Sequence, residues 1–206
     1  MREEIGALAK GGIDYIHFDV MDGVFVPRYG LYPELLKTVR SVTDLPIEVH
    51  MMTEEPARYV PVFAQAGATI IGVHAEACKH LHYTLKTIRD NGVRAGVVLN
   101  YATPLSALDY IMEDIDIAML MAINPGIIGH KLIPGTMKKI ADLRKKIDES
   151  GRDILLAIDG GVSPDSAANM VRAGANYLVC GTSAIYKPDV PLDVKIKEFR
   201  KLIDGQ

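Results

Sequence analysis

A histidine and an aspartate stand two residues apart in the stretch YIHFDVMDG, which covers residues 15–23. Residues i and i+2 of a β-strand project from the same face, so His17 and Asp19 point the same way, about 7 Å apart at roughly 3.3 Å per residue. An imidazole and a carboxylate on one face of an apolar strand can begin a metal site or an acid–base pair. The question is whether the rest of the chain supplies further ligands.

Polar groups also end most of the later apolar runs. In chain order they are His50, His74 with Glu76, Asn100, Asn124, Asp159, and Gly181 with Thr182. Packing alone does not explain this series, whereas the active sites of (β/α)8 barrels are built at the carboxyl ends of the strands. Four candidates can surround one divalent ion: His17, Asp19, His50 and Asp159. Mixed nitrogen and oxygen ligands suit Zn, Fe, Mn or Co better than Ca or Mg.

The other histidines are expected to be structural or surface residues: His74, His80, His82 and His130. His80 and His82 stand at the start of a predicted helix and are expected to face solvent. Asp22 lies in the turn sequence MDG, past the end of the first strand. We expect it to hold the loop or to orient a ligand histidine, rather than to take part in chemistry.

Short apolar runs rich in β-branched residues alternate with helical patterns along the chain. The runs are residues 15–20, 46–51, 69–74, 94–100, 116–124, 154–159 and 176–181. The helical patterns are residues 32–42, 55–68, 80–92, 103–114, 135–151 and 163–175, and a further helix over 1–12 precedes the first strand. Continuous apolar strands separated by helices predict an α/β fold with a parallel sheet that is buried on both faces.

The polar residues at the strand ends favour a (β/α)8 TIM barrel, as one domain over residues 1–206. Seven strands are visible, so we expect the first strand of the barrel to be missing from this chain. The rival fold is a doubly wound open sheet, which commonly carries a glycine-rich dinucleotide turn after its first strand. No such turn follows residues 15–20.

Glycine-bearing loops follow the last three strands. Residues 159–161 (DGG) and 180–183 (CGTS) follow the final two, where barrels commonly bind phosphate at loop amides and a helix N-terminus. Glycine lets the backbone approach an anion closely, although many glycine pairs merely mark turns. Residues 124–131 (NPGIIGHK) form a further loop that is long enough to act as a lid.

The bulk composition limits the partners. A net charge of −3 gives no general affinity for nucleic acid or an anionic membrane, and no apolar run is long enough to span a bilayer. Two cysteines, Cys78 and Cys180, make no disulfide framework. We therefore expect a cytoplasmic protein with neither a nucleic-acid nor a membrane partner.

Seven stretches of the chain together resemble the ribulose-phosphate 3-epimerase family. They are HFDVMDGVFVP, VHMM, AGATIIGVHAEA, AGVVLNYATPL, LMAINPG, IDGGV and LVCGTSAIY. They occur in order between about Gly12 and Tyr186, so the resemblance covers nearly the whole chain. It implies a (β/α)8 barrel enzyme that inverts C3 of a ketose phosphate, most simply converting D-ribulose 5-phosphate to D-xylulose 5-phosphate.

The resemblance also implies roles for particular residues. One divalent metal ion (Zn, Fe, Mn or Co) would be held by His17, Asp19, His50 and Asp159. Asp19 and Asp159 would also be the acid–base pair on opposite faces of C3. The reacting centre would be capped by Met21, Met52 and Met121. The substrate phosphate would be bound by Gly126, Ile127, Ile128, Gly129, Gly160, Gly161, Gly181 and Thr182. The resemblance further implies a homo-oligomer.

The chemistry is consistent with these residue types. The C3–H bond is α to the C2 carbonyl, so a metal ion on O2 and O3 would stabilise the enediolate as a Lewis acid. One carboxylate would remove the proton and a second, protonated one would return a proton from the other side.

Two local departures from the family pattern keep other functions open. The family lid usually reads Pro-Gly-Phe-Gly-Gly-Gln, whereas residues 125–130 read PGIIGH, and Arg28-Tyr29-Gly30 replaces an asparagine and small polar residues. These changes motivate an alternative in which the chemistry is the same but the substrate is a different sugar phosphate, such as allulose 6-phosphate. The missing first strand motivates another alternative, a non-catalytic sugar-phosphate-binding barrel, but such a protein would have no use for all four ligands.

Overall fold

The computed structural model describes residues 2–127, 129 and 131–204 and contains parallel strands alternating with helices. The strands are β1 (Ile16–Met21), β2 (Ile47–Met52), β3 (Ile70–His74), β4 (Arg94–Leu99), β5 (Ile117–Met121), β6 (Leu155–Asp159) and β7 (Tyr177–Leu178). The helices are α1 (Arg2–Gly11), α2 (Pro33–Arg40), α3 (Val60–Gln65), α4 (Leu81–Asp90), α5 (Thr136–Ser150), α6 (Pro164–Arg172) and α7 (Leu192–Asp204). This alternation confirms the α/β prediction.

The seven strands form one parallel sheet in the order β1-β2-β3-β4-β5-β6-β7. A doubly wound sheet reverses its strand order at a switch point, so this sequential order identifies a barrel-type sheet. Within the described residues, β1 pairs only with β2 and β7 only with β6. A groove of about 600 Å³, partly lined by both edge strands, lies where a closed barrel would have its eighth strand. The architecture is that of a barrel with one strand missing, as the sequence predicts.

Alternate residues of the strands point to opposite sides of the sheet, and the two sides differ in chemistry. One side packs against the helices in a large apolar layer that includes Leu85 and Ile140. The other side encloses a smaller apolar cluster of Ile70, Val98, Ile117, Met119, Met121 and Ala157. Glu48, His50, Gly72 and Asp159 have the same strand parity as this smaller cluster. The alternation therefore delivers polar side chains into the barrel interior.

A glycine of β3 makes room for a carboxylate inside the barrel. Gly72 of β3 lies opposite Gly96 of β4. A Cβ atom at Gly72 would lie 3.1 Å from Glu48 Oε1 and 3.3 Å from Val98 Cγ2. The Glu48 side chain, only 1% exposed, uses the space that a larger residue at position 72 would fill.

The secondary structure differs from the sequence prediction in three places. Residues 103–114 form two 3₁₀ turns, Leu105–Leu108 and Met112–Asp114, rather than a helix. The predicted helix over 55–68 is a 3₁₀ turn, Pro56–Arg58, followed by the short α3. Helix α7 was not predicted, and it packs against α1. No helix in the described part of the chain combines the length and the apolar character needed to cross a membrane.

Replacing Gly72 by alanine tests the space inside the barrel. The new methyl group must displace Glu48 or Val98, so we expect Gly72→Ala to lower the free energy of unfolding by about 1–3 kcal/mol. Gly6→Ala is the matched control, because Gly6 lies within α1 with no atom within 4 Å of an added Cβ. That substitution should stabilise the protein by about 0.5–1 kcal/mol. Urea unfolding measures both, and equal stability of the two variants would contradict the prediction.

Candidate metal centre

Three strands bring the four predicted ligands together at one end of the barrel. His17 and Asp19 come from β1, His50 from β2 and Asp159 from β6. One ligand atom from each residue lies within 4.8 Å of those of the other three. The register explains part of this proximity, because Asp19 lies directly opposite His50 on the neighbouring strand. The structure thus assembles the set predicted from the sequence into one cluster.

The contacts alternate imidazole and carboxylate groups. His50 Nδ1 lies 3.3 Å from both Asp19 Oδ1 and Asp159 Oδ2. His17 Nε2 lies 3.1 Å from Asp19 Oδ1 and 3.9 Å from Asp159 Oδ2. Two nitrogens and two carboxylate oxygens therefore converge on one small volume.

A divalent metal ion fits these residues. His50 is fully buried, and its Nδ1 has no hydrogen-bond partner of acceptable geometry despite the two nearby carboxylates. A buried polar atom without a hydrogen bond is costly, and a cation would satisfy it. Two imidazole nitrogens and two carboxylate oxygens form a donor set that transition metals and zinc accept.

Glu48 fixes the orientation of His17 from behind. Its Oε2 atom makes a short hydrogen bond with His17 Nδ1, and its side chain is almost completely buried. Since a carboxylate only accepts hydrogen bonds, His17 Nδ1 carries a proton, and when Nε2 is deprotonated its lone pair points toward the aspartates. Glu48 Oε1 has no hydrogen-bond partner among the described residues. The sequence prediction missed this residue, which reads as an isolated polar position in an apolar strand.

The pKa values of the cluster are set mainly by the attraction between its histidines and its carboxylates. Burial alone would lower the pKa of His50, but the close negative charges of Asp159 and Asp19 raise it to about 9. Burial likewise opposes protonation of His17, yet its pKa lies well above the ordinary value because of Glu48 and Asp19. Burial acts to raise the pKa of Asp19, but His17 and His50 hold it well below its usual range. In the absence of a metal ion, the raised pKa values of both histidines favour the doubly protonated rings.

His74 lies directly behind His50. Its Nε2 atom is 2.9 Å from His50 Nε2, and the two rings stack with centroids 5.1 Å apart. His74 Nδ1 lies 3.3 Å from Glu76 Oε2. Burial lowers the pKa of His74 to about 4, so this ring is neutral at physiological pH. A buried His74 agrees with the structural role expected from sequence, but its contact with a ligand histidine was not anticipated.

Two methionines of the predicted cap lie on strands that carry candidate ligands, and the third lies on the neighbouring strand β5. Met21 and Met52 are opposite each other on β1 and β2, and Met121 lies opposite Asp159. Met52 and Met121 are buried, and Met21 is partly buried. The cap residues are therefore adjacent to the ligand-bearing strand ends.

The candidate phosphate loops follow β5, β6 and β7. Gly126, Gly129, Gly160 and Gly161 have positive φ angles, which favour glycine. A Cβ at Gly126 would also lie 2.6 Å from Val26 Cβ. Ile127, Gly181 and Thr182 are exposed, and helix α6 begins shortly after Gly161. Ile128 and His130 lie outside the described residues.

Asp22 braces two loops. Its Oδ1 atom accepts hydrogen bonds from the amides of Val24 and Phe25, and Oδ2 accepts one from the amide of Glu54. These contacts correspond to the loop-holding role expected from the turn sequence. Arg28 is exposed in the same loop.

His80 and His82 flank the start of α4 and are exposed, as expected. Cys78 and Cys180 are free thiols. Burial raises the pKa of each thiol to about 11, so neither is a reactive thiolate at neutral pH.

Residues 1–186 match the model of the "Ribulose-phosphate 3 epimerase family". Ribulose-phosphate 3-epimerase of Bacillus subtilis is 50% identical over 184 residues, covering 89% of this chain and 84% of that protein. The enzyme of the same name from Escherichia coli K12 is 42% identical over 203 residues, covering 98% and 86%. The chloroplastic ribulose-5-phosphate-3-epimerase of Arabidopsis thaliana is 44% identical, covering 94% and 69%.

Solved structures of lower sequence identity share the fold. A crystal structure of KGPDC from Streptococcus mutans superposes with a TM-score of 0.75 at 17% identity, covering 98% of this chain and 91% of that one. Phosphoribosyl anthranilate isomerase from Thermus thermophilus gives a TM-score of 0.70 at 13% identity, covering 100% and 94%. At these identities the likeness supports the architecture alone.

Removing the charge behind His17 should weaken metal binding. Glu48→Gln keeps the size of the side chain and leaves an amide oxygen to accept from His17 Nδ1, but it removes the carboxylate that strengthens the ligand. We expect zinc affinity to fall by about 10–100-fold. Competition with a chromophoric chelator measures the dissociation constant. The exposed Glu54→Gln serves as the control, and an unchanged constant for Glu48→Gln would contradict the role of this carboxylate.

Metal binding should become tighter as the pH rises. The raised pKa values of His17 and His50 mean that protons occupy both rings at low pH and must leave when a metal binds. Apparent zinc affinity should therefore increase from pH 6 toward about 9, by about tenfold per pH unit for each proton displaced. Calorimetry in buffers of different ionisation enthalpy counts the released protons. Affinity independent of pH, with no proton release, would show that the rings are already neutral.

Proposed function

Because this chain belongs to the ribulose-phosphate 3-epimerase family and is an enzyme of the epimerase type, we propose that it interconverts D-ribulose 5-phosphate and D-xylulose 5-phosphate by inverting C3. The observation that carries the proposal is the convergence of Asp19 and Asp159 on one site with two histidines. A pure binding protein needs neither two carboxylates nor a cluster of this composition. The reaction needs two proton-transfer groups at one carbon.

His17, Asp19, His50 and Asp159 would hold one divalent metal ion. When bound, the ion supplies a Lewis acid that stabilises negative charge on O2 and O3 of the sugar. Glu48 keeps His17 in the tautomer that directs Nε2 into the site. The orphaned Nδ1 of the buried His50 supports this assignment from the opposite side.

The two aspartates transfer the proton. One carboxylate removes the proton from C3 on one face of the substrate, and the other, protonated, delivers a proton to the opposite face. The reaction is reversible, so each aspartate is the base in one direction and the acid in the other. Both carboxylates lie 3.3 Å from the same His50 Nδ1, so they are close enough to act on one carbon of a bound sugar.

The methionines limit the access of water to the reacting carbon. Met52 and Met121 are buried beside the ligand-bearing strand ends, and neither offers an acid or a base. The side chain of Asp19 is 41% exposed and that of Asp159 is 16% exposed, so the site opens toward solvent on the Asp19 side. A soft apolar wall on the other side protects a charged intermediate from stray protonation.

The phosphate group is proposed to bind at the loops after β5, β6 and β7. Residues 126–127, 129, 160–161 and 181–182 follow consecutive neighbouring strands, so these loops leave the same end of the barrel as the two aspartates. Positive φ angles at four of these glycines permit backbone amides to approach an anion closely. The N-terminus of α6 adds a favourable dipole next to Gly161.

Neutralising either aspartate should abolish epimerisation without unfolding the protein. Asp19→Asn and Asp159→Asn keep the side-chain shape but remove the acid–base group, so we expect kcat to fall by at least about 10²–10⁴-fold. A coupled assay for D-xylulose 5-phosphate measures the rate, and circular dichroism checks the fold. Asp142→Asn on the exposed face of α5 is the control. Retained epimerisation in either site variant would refute the two-base assignment.

One experiment tests both the substrate and the carbon atom at which the proton is exchanged. Protein supplemented with metal and D-ribulose 5-phosphate in D₂O should yield D-xylulose 5-phosphate with deuterium at C3, and a chelated control should not. The same time course with allulose 6-phosphate and with unphosphorylated D-ribulose measures preference for the sugar and for the phosphate. Faster turnover of allulose 6-phosphate would replace the proposed substrate, and no exchange with any sugar would exclude the epimerase mechanism.

A further inference from the structure

A continuous chain of hydrogen-bonding groups leads from the candidate metal centre to the loop after β4. His50 Nε2 contacts His74 Nε2 at 2.9 Å, and His74 Nδ1 lies 3.3 Å from Glu76 Oε2. The other oxygen, Glu76 Oε1, accepts from the Asn100 amide at 2.8 Å and from the Thr103 hydroxyl. His50 and His74 are both fully buried.

Donor and acceptor rules allow one assignment of protons along this chain when a metal is bound. A metal ion at His50 Nδ1 requires a lone pair there, so the proton of the neutral ring sits on Nε2. That N–H needs an acceptor, which is His74 Nε2. His74 must then carry its proton on Nδ1, where the Glu76 carboxylate accepts it.

We propose that His74 and Glu76 are positioning residues that hold His50 with its Nδ1 lone pair directed into the metal centre. The proposal rests on the metal site of the proposed function, because it assigns the groups that orient one of its ligands. His74 touches neither the substrate nor the ion. It acts through His50, as Glu48 acts through His17.

The surroundings hold this chain in place. Glu76 lies on the 3₁₀ turn Ala75–Ala77 directly after β3. The ammonium group of Lys139 donates to the carbonyl oxygens of Asn100, Tyr101 and Thr103 at 2.7–2.9 Å. Lys139 therefore fixes the loop whose amide and hydroxyl groups bind Glu76. Phe25 packs against the His74 ring with centroids 4.7 Å apart, which fixes its orientation.

Zinc binding by four proteins tests the proposal. The dissociation constant is measured by chelator competition for the wild type, His74→Leu, His74→Gln and the exposed control His82→Leu. His74→Leu leaves the His50 N–H without an acceptor, so we expect affinity to fall by about 10–100-fold. His74→Gln restores an acceptor oxygen and should recover most of the loss, which a purely steric role would not predict. Equal affinities for wild type and His74→Leu would overturn the proposal.

Histidine tautomers provide a readout that does not depend on metal. Long-range ¹H–¹⁵N spectra of histidine-labelled protein report which ring nitrogen carries the proton, and the His74→Leu spectrum identifies the His74 signal among six histidines. We expect His74 to be protonated at Nδ1 only, with and without zinc. A proton on His74 Nε2 would overturn the proposal, because that nitrogen could then not accept from His50. If the wild type shows this tautomer but binds no zinc, the proposed metal site fails. The proton assignment along the hydrogen bonds from His50 to Glu76 then still stands.

Discussion

The structure depends on pairing the ionisable groups in the barrel interior, because each of them would be costly to bury alone. An isolated charge in an apolar core is costly, whereas a charge with a hydrogen-bonded partner is tolerated. Each buried imidazole here has a carboxylate beside it: Glu48 for His17, the two aspartates for His50, and Glu76 for His74. Gly72 of β3 provides the volume for Glu48. The same pairing directs lone pairs inward, so the arrangement that makes burial tolerable also prepares a site for a cation.

The pairing also explains how metal-free and metal-bound forms can share one structure. The raised pKa values of His17 and His50 favour one additional proton on each ring in the metal-free form. A divalent ion that displaces both protons leaves the total charge of the cluster unchanged. Glu48 pairs with His17, and Glu76 pairs with His74. Neither carboxylate belongs to the four candidate ligands, so both keep these partners with or without a metal ion. We therefore expect a bound metal ion to change the chemistry of the site with little movement of the strands.

The cluster of four candidate ligands could be predicted from the sequence because strand parity is a local property. A polar residue at the carboxyl end of an apolar run must face the barrel or the helices, and His17-x-Asp19 places both groups on one side. Glu48 could not be found in this way, because its function comes from the register that places it opposite His17, 31 residues away. A signal for His74 was present, since His74-x-Glu76 repeats the spacing of His17-x-Asp19. Residues 103–114 have apolar side chains at near-helical spacing, but the structure ends each segment after one turn.

The open side of the barrel shows why the site does not require a continuous ring of backbone hydrogen bonds. The edge strands β1 and β7 are not paired to each other among the described residues, and a groove separates them. Asp159 of β6 nevertheless reaches His50 of β2 at 3.3 Å and His17 of β1 at 3.9 Å. These contacts cross the interior of the barrel, so they link its two sides independently of the sheet edge. A metal ion held by the same residues would strengthen this link, because it would bind β1, β2 and β6 to one point.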